Sequence, residues 1–421
     1  MSAAPDTRPF PGVAGRVRRM VGRDPHESER ASTPLELLFD LAFVVAFGIA
    51  GEQMAHALAE GHVATAIGGF AFGMFSIVWA WINFSWFASA FDTDDWVYRV
   101  TTMVQMVGVV ILALGLSDIF HSLDEGHTID NTVVVAGYVV MRVAMVAQWL
   151  RLAAQSPEHR RTALTYALAI AIAQVGWVVL AAVHLALVPT IIGSMALFLI
   201  ELSGPALSER RGATPWHPHH IAERYGLLAL IALGEGVLGT VAAVQPIIEE
   251  HGWSGDAIVL VIAGVVLTFG LWWAYFAVPF GHLLHGRRSG RAAFSFGYLH
   301  ILVFAAIAAV GAGLHVGAYV IEGEAHVGYG AAVRAVAIPV AVFLVVYLGI
   351  ADLLVRRVAA AQVGALALAL AVLALAVVLS ESGTPFALDI LLVAAAPWIV
   401  VISTETVGRR HFAAHLAGAG A

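Results

Sequence analysis

The sequence predicts an all-α polytopic transmembrane bundle of about twelve spans, on three observations. The chain of 421 residues is 60% hydrophobic and 12% charged, with mean hydropathy +0.84; soluble domains are about 45–50% apolar and about 25% charged. Its apolar residues fall in long runs, most of them able to cross a hydrocarbon core that needs about 20 helical residues. Its arginines concentrate in every second connection between runs, the asymmetry that sets orientation in a bilayer.

Residues 1–34 carry Arg8, Arg16, Arg18, Arg19, Arg23 and Arg30 among prolines and polar residues. They read as a disordered cytoplasmic tail that enforces orientation, or as a docking segment for anionic lipid headgroups. The first apolar run starts near Leu35 and is too long for the core of a cleaved signal, so it reads as a retained anchor. Runs follow near 35–58, 63–90, 98–120, 131–153, 162–184 and 186–203, the sixth being short. A polar break, 204–218, contains Pro205, Pro215 and Pro218. A second set lies near 219–244, 256–284, 293–319, 329–355, 358–380 and 385–407, before a C-terminal tail at 408–421.

Arginine placement tests this count. With the tail inside, the cytoplasmic connections hold Arg99, Arg151, Arg160, Arg161, Arg210, Arg211, Arg224, Arg287, Arg288, Arg291, Arg356 and Arg357, and the C-terminal tail holds Arg409 and Arg410. The opposite loops hold acids such as Asp124, Glu125, Glu249, Glu250, Glu322 and Glu324. Arg142 and Arg334 alone fall outside the pattern. Both termini are therefore predicted to be cytoplasmic. Six plus six spans suggest an internal parallel repeat of two halves, 35–203 and 219–407. Glu36 aligns with Glu223, and the aromatic segment Trp79–Phe84 aligns with Leu271–Phe276.

Composition also excludes. A net charge of −7 and pI near 6.2 argue against nucleic acid as a partner. The absence of cysteine removes disulfides and thiolate chemistry. All 22 basic residues are arginine, so the lysine of a phosphate-binding loop is missing and ATP-driven pumping is not expected. No residue pattern identifies a cofactor, which stays unknown. The bilayer is the one partner that composition implies, with a small molecule or ion as a further candidate.

Candidate functional residues are those that put charge into hydrocarbon. Glu36 and Asp40 lie one turn apart on one helix face. They serve either the helix N-terminus, where the macrodipole favours acids, or a polar cavity that binds a proton or cation. Glu223 and Arg224 open the seventh run in a related way. Glu235, between Gly234 and Gly236, lies deep in that run, where an acid faces the bundle interior or water. Arg142 sits mid-span and stays charged, so a carboxylate must be near; Glu235 is the first choice, then Glu52 or Asp40. Asn83 is polar in an aromatic helix and suits a bond between helices. Asp92, Asp94 and Asp95 form an acidic cytoplasmic cluster. Helix capping by Thr93 or Asp94 and an Asp95–Arg99 pair account for much of it, with a divalent-cation site as the alternative, although no EF-hand spacing is present. His217, His219 and His220 read as loop-surface histidines, without a metal-site motif. His300 is either a proton shuttle or a satisfied core histidine.

These stretches together resemble the bacterial low-temperature-requirement A (LtrA) family. The matching segments are Glu36-Leu-Leu-Phe-Asp40-Leu-Ala-Phe-Val44, Phe91-Asp-Thr-Asp-Asp95 with Arg99, and His220-Ile-Ala-Glu223-Arg224-Tyr-Gly226-Leu through Gly234-Glu235. Leu271-Trp272-Trp273-Ala-Tyr275-Phe276 and Tyr298-Leu-His300 complete the set. The family often continues the tryptophan-tyrosine-phenylalanine run with an acid, where this chain has Ala277. The resemblance implies a multi-pass protein of a bacterial cytoplasmic membrane and adds no reaction.

The leading functional expectation is a secondary transporter or ion-coupled permease. Glu235 with Arg142 forms its charge-pair gate, and Asp40, Glu36 and Asn83 form a cytoplasmic vestibule. The alternatives are a lipid-modifying membrane enzyme, which needs acids and His220 near one headgroup plane, and a non-catalytic sensor or scaffold whose charges only fix helix packing.

Overall fold

The computed structural model describes residues 17–25, 27, 30–285, 290–409 and 412–413. Arg8, Arg16, Arg287, Arg288, Arg410 and most of the C-terminal tail lie outside the described residues. The described chain forms helices α1 (Pro34–Ala59), α2 (Val63–Phe91), α3 (Trp96–Leu114), α4 (Leu116–Glu125), α5 (Thr132–Gln155), α6 (Arg160–Val183) and α7 (Leu187–Glu209). It continues with α8 (Pro218–His251), α9 (Gly255–Phe276), α10 (Phe280–His285), α11 (Gly290–Glu322), α12 (Tyr329–Val355), α13 (Ala360–Glu381) and α14 (Phe386–Ser403). With α3–α4, α9–α10 and α14 plus a π-helical turn each counted as one crossing, twelve segments are long and apolar enough to span a membrane. No strand forms among the described residues.

Helix starts follow local chemistry. Thr33 Oγ1 accepts from the Glu36 N–H (3.2 Å) and the Glu36 carboxylate accepts from the Thr33 N–H (2.8 Å), a reciprocal cap with Pro34 in the first turn. His217 Nδ1 caps α8 by accepting from the His220 N–H, again with proline next.

Two expectations need correction. The sixth span does not stop before Gly204; α7 runs through Pro205 to Glu209. Proline inside a membrane helix is tolerated because neighbouring helices and side chains re-satisfy the freed carbonyl. The described part of the N-terminal segment is also ordered. Arg30 donates to the Ala88 and Ser89 carbonyls at the end of α2, and Arg19 donates to the Gln155 carbonyl at the end of α5. These arginines add donors to carbonyls in the last turns of helices, where such groups lack a full set of intrahelical partners.

Helix α11 lies at the centre, with 78% of its membrane window buried. It packs most closely on α8 and α12. Small residues permit this: a Cβ added at Gly239 of α8 would lie 2.5 Å from the Gly311 carbonyl oxygen of α11. Helices α1 and α8 lie side by side and parallel. Glu36 meets His220, Asp40 meets Arg224 and Gly51 meets Glu235. All three pairs share one sequence separation, which only parallel helices of equal rise can keep. Elsewhere, α9 packs closely along α14, whereas α2 and α7 do not approach along their backbones.

Candidate functional site

At the N-terminal ends of α1 and α8 a histidine–carboxylate contact and an arginine–carboxylate ion pair stack one turn apart. His220 Nε2 lies 3.2 Å from Glu36, and Arg224 Nη2 lies 2.6 Å from Asp40 Oδ1. Trp81 Nε1 of α2 donates to the same Asp40 oxygen (2.6 Å), and Arg224 also reaches Ser85 Oγ (3.3 Å). The guanidinium stands 5.7 Å from the Trp81 ring centre and 6.0 Å from that of Phe84. All four side chains are buried. Breaking such a pair by removing one partner costs about 3–5 kcal/mol, because the other charge is left buried and alone. Glu223, one residue before Arg224, turns outward instead and accepts from the Ser32 N–H (3.2 Å).

The acidic loop after α2 is fastened mainly by arginines. Asp95, not Thr93 or Asp94, caps α3 by accepting from the Tyr98 N–H (2.9 Å). It also takes two bonds from Arg151 and one from the Arg18 N–H. Burial opposes its ionisation, but those donors outweigh burial and hold its carboxyl below the usual range. The partner of Arg99 is Asp94 (2.8 Å), which corrects the expected Asp95–Arg99 pair. Asp92 accepts from the Asp94 N–H (2.8 Å). Burial, with the nearby Glu36 charge, pushes its carboxyl up to about 6.

The expected Arg142–Glu235 pair does not form. Arg142 of α5 binds Glu201 of α7 (3.1 Å) and the Tyr138 hydroxyl, and lies 4.5 Å over the Tyr138 ring. Trp79 of α2 completes the cluster by donating to Glu201 (2.8 Å). Glu201 is the residue that sequence reasoning missed. It sits just before Gly204 and Pro205, where the span was taken to end. Continuing the helix through the proline would have exposed it as an intramembrane acid. Asn83 does not join Asp40 either. It donates to the Trp79 carbonyl of its own helix (2.7 Å) and stands roughly 200° round α2 from Trp81. His300 is a satisfied core histidine: its Nδ1 lies 2.7 Å from the Phe296 carbonyl and its Nε2 lies 3.1 Å from the Tyr275 hydroxyl. A carbonyl only accepts, so Nδ1 carries the proton and Nε2 accepts from Tyr275.

Glu235 differs from every other buried acid. Among the described residues six carboxylates are buried: Glu36, Asp40, Asp95, Glu201, Glu235 and Asp389. Protein donors hold five of them, including Asp389, which accepts from Thr384 Oγ1 (2.6 Å). Glu235, 4% exposed, has no donor. Its carboxylate instead lines a cavity of about 420 Å3 between α1, α8 and α11, toward the C-terminal ends of α1 and α8. Glu52, Glu249, Glu322, Gln245, His315 and Tyr319 share the walls, and no arginine does. Gly48 leaves the room: a Cβ there would lie 3.6 Å from Glu235 Oε1. Among the described residues no three histidine or acidic side chains gather closely enough to hold a metal ion.

The fold and these buried charges define a multi-pass α-helical membrane protein. A family profile described as "Bacterial low temperature requirement A protein (LtrA)" matches residues 31–397. The chain belongs to the LtrA family, as the motifs at Glu36–Val44 and His220–Glu235 imply. It is also similar to a curated protein of Rhizobium meliloti (strain 1021) described as uncharacterized, at 25% identity over 262 residues, covering 59% of each chain. No solved structure matches the chain significantly.

Proposed function

We propose that this protein is a cation-coupled permease, captured with its site open to the face opposite the termini. The observation that carries this reading is Glu235, a buried carboxylate without a protein donor at the floor of an acidic cavity. An intramembrane acid that nothing in the protein neutralises suits a proton or cation from the cavity. The neighbouring Glu52, Glu249 and Glu322 raise the local cation concentration at the mouth. Toward the other face the same two helices are closed by the Asp40–Arg224 and Glu36–His220 layers. Permeation then requires those layers to part, so they are the inner gate and Glu235 is the coupling site. Arginine asymmetry supports a cytoplasmic N-terminus in a bacterial inner membrane, with the acidic cavity outside.

An internal parallel repeat supports the same reading. Parallel α1 and α8 would be the first helix of each half. Trp79 donates to Glu201 and Trp273 donates to Glu405 (3.0 Å); each indole–carboxylate link joins the second span of a half to its sixth. The alternative of a lipid-modifying enzyme is less well supported, because Glu36, Asp40 and Asp95 are occupied by protein partners rather than free for acid–base work.

The test is flux. Purified protein in proteoliposomes is given a proton or sodium gradient together with a broad panel of small metabolites, and internal pH and sodium are followed with dyes. The expected result is gradient dissipation in wild type, lost in Glu235→Gln and strongly reduced in Glu52→Gln. Equal dissipation by wild type, Glu235→Gln and empty vesicles would contradict the proposal.

A further inference from the structure

A second cavity, separate from the α1–α8 seam, lies where α2 and α7 fail to close on each other. It opens at the N-terminal face, bounded there by Glu209 and the loop residues Thr214 and Trp216. Its walls are aromatic. Trp149 of α5 and Tyr166 of α6 stack face to face, with ring centres 4.1 Å apart and planes 4° from parallel. Trp216 meets Trp86 of α2 edge-on at 4.9 Å. Among the described residues one charged side chain lines the cavity, and it is an acid, Glu209.

Glu209 is held in place, and no cationic side chain among the described residues pairs with it. It accepts from the Tyr166 hydroxyl (2.9 Å), from Thr214 Oγ1 (2.8 Å) and from the Thr214 N–H (3.0 Å), all uncharged donors. No arginine lines the cavity among the described residues. Aromatic faces present negative potential, and tryptophan presents the strongest. A fixed carboxylate beside several such faces favours a cation with an apolar body, repels an anion, and gives a neutral molecule only packing.

We propose that this cleft binds a small organic cation of the quaternary-ammonium class from the N-terminal face. The charged head sits against Trp86 and Trp216, near Glu209, and the apolar remainder lies along the Trp149–Tyr166 wall. This inference does not depend on transport through the α1–α8 seam, and its readout is binding.

The experiment is calorimetric titration of full-length protein in lipid nanodiscs, with empty nanodiscs subtracted. The probes are benzyltrimethylammonium and phenylmethanesulfonate, two ions of similar size and opposite charge. Saturable binding is expected for the cation and none for the anion. Trp216→Ala and Glu209→Gln should each weaken cation binding about tenfold, while Trp216→Phe keeps most of it. Should Glu209→Gln disturb the 210–217 loop, the contrast between Trp216→Ala and Trp216→Phe still decides. Absence of saturable cation binding, equal binding of both ions, or affinity unchanged in Trp216→Ala overturns the proposal.

Discussion

The two ends of the α1–α8 seam carry the same kinds of residue in opposite states. At the N-terminal end, Glu36 and Asp40 face His220 and Arg224, and each acid has a side-chain partner. Toward the other end, Glu235 faces two glycines and a cavity rimmed by three further acids. One parallel helix pair thus holds a layer of partnered side chains at one end and an acid without a protein donor beside a cavity at the other, the contrast on which the proposed gate and coupling site rest. Acids in a membrane are therefore not equivalent, and their partners, not their depth, separate packing from function.

That contrast can be broken at several points. The largest effect is expected at the closed end. Arg224→Ala leaves Asp40 buried without its counter-charge and should destabilise the protein by about 3–5 kcal/mol, read as a lowered denaturation midpoint in detergent. The double variant Asp40→Leu/Arg224→Met should recover most of that loss, since a buried pair is often replaceable by apolar residues of similar volume. A double variant as unstable as the single one would mean that the layer does more than balance charge.

The Arg142–Glu201 pair should behave as the first pair does. Glu201→Ala is expected to cost a similar amount, and a double-mutant cycle with Arg142→Met should give a coupling of about 1–3 kcal/mol. The corresponding cycle between Arg142 and Glu235 should give coupling near zero. At the open end, Glu235→Gln should change stability by no more than about 1 kcal/mol in either direction, because no protein partner is lost. Loss of flux with unchanged stability would be the signature of a working site.

The smallest effect concerns pH. The Asp92 carboxyl titrates near 6 in the folded protein, above its ordinary 3.8. Between those values the folded state holds more proton than the unfolded state, so Asp92's contribution to stability falls as pH rises through this window. Asp92→Asn should flatten that slope in denaturation midpoints measured from pH 4 to 7, with no effect on the slope below pH 3.

Much of the architecture was legible because hydropathy averages over many residues. Twelve spans follow from twelve runs, and one misjudged helix end does not change their number. Pairings were less legible, because they depend on which helices adjoin and how each is rotated. Glu36, Asp40, Glu223 and Arg224 all stood out in the sequence. That Asp40 meets Arg224 while Glu223 turns outward requires the parallel register of α1 and α8. Arg142 called for a carboxylate, but the nearest acid by helix neighbourhood is Glu201, concealed by Gly204 and Pro205. Glu235 was recognised by its depth, yet its neighbourhood came from Gly48, Glu52 and His315 on other helices, which no local pattern links.

The native chain has no cysteine, so a single introduced thiol reports its own surroundings cleanly. The most direct test of the central claim is reaction of Glu235→Cys with a membrane-impermeant cationic thiol reagent, applied separately to sealed right-side-out and inside-out vesicles. Rapid labelling is expected from the face opposite the termini and none from the N-terminal face, with Asp40→Cys unreactive from both. Labelling of Glu235→Cys from the N-terminal face, or from neither, would contradict an acid at the floor of an open cavity.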